Sequence, residues 1–147
     1  MPLPLPVPVP PEPYGRSHTL ELPATPEAVR AARGSAGEVL ASWGVADELA
    51  DSVVLVTSEL VTNAVTHSGS ERIVYRLYGT GGVVRVEVED QNRGHRLPAP
   101  RRPGPEEQSG RGLLLVGTLS RDWGVAPAPD GGPGRVVWAE LTAPKRP

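Results

Sequence analysis

The chain has 147 residues, 38% of them hydrophobic, with 15 basic against 17 acidic residues and no cysteine. That length supports one domain with a core of its own. The net charge of −2 offers no general field for nucleic acid or anionic lipid, and the lack of thiols excludes disulfides and thiolate metal sites. His18, His67 and His95 are too dispersed along the chain to point to zinc. Lys145 is the one lysine, so the abundance of arginine reads as coding bias as much as function. No run approaches the roughly 20 apolar residues of a membrane span. A cytoplasmic protein, with no membrane or nucleic-acid partner, is the expectation.

The first residues, Met1-Pro-Leu-Pro-Leu-Pro-Val-Pro-Val-Pro-Pro, alternate apolar side chains with proline. They lack a basic start and cannot build the helical centre of a signal peptide. Residues 1–16 read as an extended polyproline arm, either a disordered tail or a docking segment for a partner. Residues 17–143 read as the folded domain and 144–147 as a tail.

Ser17 to Pro23 alternates and predicts a short strand. Thr25-Pro26-Glu27 predicts a helix start, with Thr25 as cap, Pro26 in the first helical position and Glu27 near the positive end of the dipole. This helix should run to about Trp43, stop at Gly44, and bury Val29, Ala32, Ala36, Val39, Leu40 and Trp43. Asp47 opens a second helix. Leu49, Val53, Val56, Leu60 and Ala64 form one apolar stripe on it, which Val54, Val61 and Val65 widen. Its length, with no breaker before Gly69, favours helix over strand for the valine-rich part.

Arg72–Tyr78 and Val83–Asp90 predict a hairpin across Gly79-Thr-Gly-Gly82. Val84, Val86 and Val88 face one way and Arg85, Glu87 and Glu89 the other, so one sheet face is buried and the other wet. A long loop rich in proline, glycine and arginine follows, over 91–109, and such loops are functional or mobile more often than incidental. Gly112 to about Leu119 predicts an apolar helix. Asp122–Ala126 and Arg135–Thr142 predict a last hairpin. The order gives an α+β two-layer sandwich, a mostly antiparallel sheet with its helices on one face.

Three segments could carry chemistry. Glu59, Asn63 and His67 recur every fourth residue, along one face of the second helix. An asparagine carbonyl can give Mg2+ one hard ligand without adding charge. A carboxylate one turn earlier could accept the proton of a hydroxyl attacking a phosphate. The same spacing also fits a solvated polar face. Asp90, ending a valine-rich strand, could accept a hydrogen bond from the exocyclic amine of adenine, with Gly94 letting backbone approach a flat ring. It could equally open a turn. Gly110 and Gly112, around Arg111 and before Leu113, could gather backbone N–H groups round an anion at a helix start. A flexible joint is the plainer reading. The joint occurrence, in this order and on these elements, points to a nucleotide site.

In this combination the chain resembles the GHKL ATPase superfamily, shared by gyrase and the sensor histidine kinases, over about residues 17–143. It looks closest to the stand-alone anti-sigma factor serine/threonine kinases, whose fold is also a two-layer α/β sandwich. Glu59, Asn63 and His67 match the family's N-box, which makes Asn63 the Mg2+ ligand and Glu59 the base. Asp90 and Gly94 match its first glycine box, which holds adenine. Gly110 and Gly112 match the second, which meets the phosphates, with Arg111 and Leu113 beside them as further candidate contacts. Trp123-Gly-Val and Val137-Trp-Ala-Glu-Leu also look like this branch.

Two departures stand out. Asn92 replaces the middle glycine of the first box, and asparagine tolerates a left-handed backbone better than most residues. Val136 stands where a threonine often anchors adenine through water. No phospho-accepting histidine helix pair and no transducer domain are expected on this reading. The resemblance implies ATP and Mg2+ as cofactors and a sigma factor and an anti-sigma-factor antagonist as protein partners. It also carries an expectation of homodimerisation. The implied activity is phosphorylation of Ser or Thr on the antagonist. The alternative is a non-catalytic regulator that binds ATP, or no nucleotide, and acts by sequestering a partner.

Overall fold

The computed structural model describes residues 15–67, 69–80, 82–91, 115–128 and 134–143, with the backbone alone at position 67. The elements are β1 (Arg16–Pro23), α1 (Glu27–Ser42), α2 (Asp47–His67), β2 (Arg72–Thr80), β3 (Val83–Asp90), β4 (Asp122–Pro127) and β5 (Arg135–Thr142). Residues 115–119 are helical, between β3 and β4. The five strands form one sheet in the order β1-β2-β3-β5-β4, antiparallel at every pairing. α2 packs on β2, β3 and β5, and α1 packs on α2 and β1. This is the α+β sandwich expected from the element order.

The helices begin and end for local reasons. Pro26, with helical dihedrals of φ −56° and ψ −31°, stands at the boundary of α1 and brings no side-chain cap. The cap expected at Thr25 is instead a backbone one: the Thr25 carbonyl accepts the Ala28 N–H at 2.9 Å. At the other end Gly44 takes φ +75°, the left-handed conformation that glycine adopts without a side-chain clash. The Gly44 N–H then reaches the Ala41 carbonyl at 3.1 Å and the Val45 N–H reaches Leu40 at 3.0 Å, which satisfies two orphan carbonyls of the last turn.

The apolar stripe read in α2 is the centre of the core. Leu49, Val53, Val56, Leu60, Val61 and Ala64 are buried, against Ala32, Ala36 and Leu40 of α1 and the sheet residues Ile73, Tyr75, Leu77, Val84, Val86, Val88, Ala139 and Leu141. By length and composition Asp47–Thr66 would also suffice to cross a membrane, contrary to the expectation that no run does. Its buried stripe packs within the protein, as a core helix does. Inside that layer Thr57 and Tyr75 share a hydrogen bond of 2.7 Å between Oγ1 and the phenolic oxygen. Burial raises the Tyr75 hydroxyl well above the ordinary tyrosine value, and the bond to Thr57 offsets a part of this.

Strand alternation sorts the sheet residues as expected, but the face opposite the helices is less wet than the sequence implied. Arg76 reaches Glu89 at 2.6 Å and Glu87 at 3.6 Å, and Arg85 reaches Glu87 at 2.7 Å and Glu140 at 3.2 Å. The Arg85 guanidinium also lies 4.2 Å from the centre of the Trp138 ring. Arg76 is 9% exposed as a result. Long charged side chains laid along a sheet cover one another's stems while their heads pair.

A candidate nucleotide site at the end of the second helix

α2 ends at His67 and β2 begins at Arg72, so the C-terminal turns of α2 lie at the end of the sheet where β2 starts. Ile73, the second residue of β2, is paired with Asp90, the last residue of β3. Just beyond, the Gln91 N–H donates to Ser70 Oγ at 2.8 Å, which ties the turn after α2 to the end of β3. At 1.5 Å of rise per residue, Asn63 lies about 6 Å and Glu59 about 12 Å before the helix end. The helix layer thus brings Asn63, and the sheet layer brings Asp90, toward the same end of the sandwich, with Glu59 one turn further in along α2.

Glu59 and Asn63 are half-buried and flank the buried core residues Leu60 and Ala64. Neither has a side-chain hydrogen bond or ion pair among the described residues. Asp90 is the opposite case. It is 1% exposed, on the helix-facing side of β3 with Val84, Val86 and Val88. Arg135, directly across in β5, donates from Nε to Asp90 Oδ2 at 3.2 Å and is itself 7% exposed. A Cβ at Gly134 would run into the Asp90 carbonyl oxygen, so a bare backbone is needed there for β5 to come alongside β3.

The donor set suits a magnesium nucleotide. A buried carboxylate beside a guanidinium gives a hydrogen-bonding edge for a base. No cluster of three or more His, Cys, Asp or Glu occurs among the described residues, and Mg2+ needs none, since it commonly takes one or two protein oxygens with phosphate and water. Of the other residues expected here, the side chain of His67 and all of Asn92, Gly94, Gly110, Arg111, Gly112 and Leu113 lie outside the described residues. Sequence reasoning missed Arg135, which reads as an ordinary strand residue until β5 is placed next to β3. A separate groove of about 560 Å3 between α1 and α2, lined by Pro26, Val29, Arg30, Arg33, Gly34 and Val54, includes none of these residues.

The model of the histidine kinase-like ATPase domain family matches residues 22–140, a stretch that contains Glu59, Asn63 and Asp90. The chain belongs to this family. Among solved structures it is similar to that of the RsbU and RsbW domains of Rv1364c from Mycobacterium tuberculosis, at 24% identity and a TM-score of 0.61. That match takes in 90% of this chain and 34% of the other, so this chain spans about a third of the length of that solved chain. At this identity the likeness speaks for the fold. No curated protein matches the chain. As a histidine kinase-like ATPase domain, the protein belongs to a family for which ATP binding is implied.

Proposed function

We propose that this protein is an ATP-binding, anti-sigma-factor-like regulator that phosphorylates Ser or Thr of an antagonist protein. The observation that carries the reading is the family match across residues 22–140, supported by the burial of Asp90 at the end of the sheet toward which α2 carries Asn63. Asp90 accepts from the exocyclic amine of adenine. Asn63 gives its carbonyl oxygen to Mg2+. The backbone around Gly110 and Gly112, with Arg111, holds the phosphates, and His67, Asn92, Gly94 and Leu113 are the remaining nucleotide-binding residues. Glu59 takes the proton of the attacking hydroxyl as its oxygen bonds to the γ-phosphorus. The bond to the β–γ bridging oxygen breaks in the same transfer, and ADP leaves. A phosphoryl group adds about −1.5 to −2 charge to the antagonist. That charge weakens the antagonist's hold on this protein and leaves it free to bind a sigma factor.

Calorimetry with ATP, with and without Mg2+, tests the binding half. Asp90→Ala should abolish binding, and Asn63→Ala should remove the effect of Mg2+. Glu59→Gln should still bind ATP while losing transfer of the γ-phosphoryl group. Unchanged transfer in Glu59→Gln removes that residue from the chemistry. A wild-type chain that gives no heat at millimolar ATP favours the second reading, a partner-sequestering module without catalysis. The one observation on that side is that Arg135 already engages Asp90 Oδ2.

A further inference from the structure

We propose that Arg135 is a second base-reading residue, which donates a hydrogen bond to N1 of adenine while Asp90 accepts from the neighbouring exocyclic amine. The proposal rests on the nucleotide reading above and assigns the specificity of that site.

A lone buried carboxylate is costly, and a close cation offsets that cost. Structural pairing alone would be satisfied by any cation. The geometry here is narrower. Asp90 and Arg135 are directly opposite on adjacent strands, at the end of the sheet and facing the helix layer. The contact uses Nε of the guanidinium, one of five N–H donors held in a rigid fork. The other four, on the two Nη nitrogens, have no partner among the described residues. The pair therefore presents a strong acceptor and a strong donor side by side.

Adenine's Watson–Crick edge carries the complementary order, an amine donor at N6 and a ring acceptor at N1. In the same pose guanine would set its O6 acceptor against Asp90 and its N1–H donor against Arg135. Both contacts would then be lost, with acceptor set against acceptor and donor against donor, and a mismatch of that kind discriminates strongly. Val136, which stands where a threonine was expected to act through water, points to the other face of the sheet from Arg135 by strand alternation. The neighbouring arginine takes the task over directly.

The test compares ATP with 1-deaza-ATP, which replaces the N1 acceptor by C–H and keeps the amine, by calorimetry on the full chain. The wild type should bind ATP about ten- to a hundredfold more tightly, the range for a hydrogen bond from a charged donor. In Arg135→Met the two ligands should bind equally. Equal binding of both by the wild type overturns the proposal, and so does full discrimination retained by the variant. If Arg135→Met does not fold, the wild-type comparison decides by itself. A wild type that binds neither ligand overturns the nucleotide reading instead, so the two failures are distinguishable.

Discussion

The two faces of this sheet both carry arginine–carboxylate pairs, and they use them differently. On the helix side one pair, Asp90 and Arg135, sits in a layer of valine, leucine and alanine. On the other side Arg76, Arg85 and Arg121 share Glu87, Glu89 and Glu140, so that each arginine but Arg121 meets two carboxylates. A lattice loses less when one arginine is removed, because Glu87 and Glu140 each keep a second one. The Asp90–Arg135 pair instead lies in an apolar layer, where a lost charge is costly. The first arrangement suits a surface, and the second suits a place where a defined pair of polar groups must be held.

The sharpest way to break the comparison is to delete one charge from each side. Arg135→Met leaves a carboxylate buried without its cation and should destabilise the fold by about 3–5 kcal/mol. Urea unfolding measures it, and a loss below about 1 kcal/mol would mean that the pair is solvated after all. Second in size is an alkaline effect in the helix-side layer. Tyr75 resists ionisation chiefly because burial penalises its charged form, whereas an unfolded tyrosine titrates near about 10. Above that pH the unfolded chain has released a proton that the folded chain retains. Stability should therefore be constant below about pH 10 and fall by about 1.4 kcal/mol per pH unit above it. Tyr75→Phe should remove one such slope at the cost of the bond to Thr57. Tyr78, on the other face, is raised by burial and then by Glu87, with Arg76 and Arg85 acting against both. The smallest effect should come from the lattice. Glu89→Gln leaves Arg76 its contact with Glu87 and an amide oxygen in place of the carboxylate, and should cost about 1 kcal/mol, with little change in high salt because both side chains are largely buried.

Much of this was legible beforehand because it is local. The stripe from Leu49 to Ala64 follows helical period, and Val84, Val86 and Val88 follow strand period. Both hold over enough residues to fix the element and its buried side. Gly44 fell where a helix must end. The Thr25 cap was read one position from a boundary that backbone bonding set instead, which is the usual uncertainty of helix ends. The open face was expected wet because alternation says which residues share a side and nothing about how long side chains lie down on it.

The sequence by itself determined the elements, their buried faces, and the presence of Glu59, Asn63 and Asp90 on elements of the expected kind. These depend on periods of two and 3.6 residues that any short window displays. Only the tertiary structure decided that Asp90 meets Arg135. That contact spans 45 positions and depends on the register of β3 against β5, where a slip of one residue would turn Arg135 to the opposite face. Register is set by the packing of the whole valine layer under α2, which no local pattern contains.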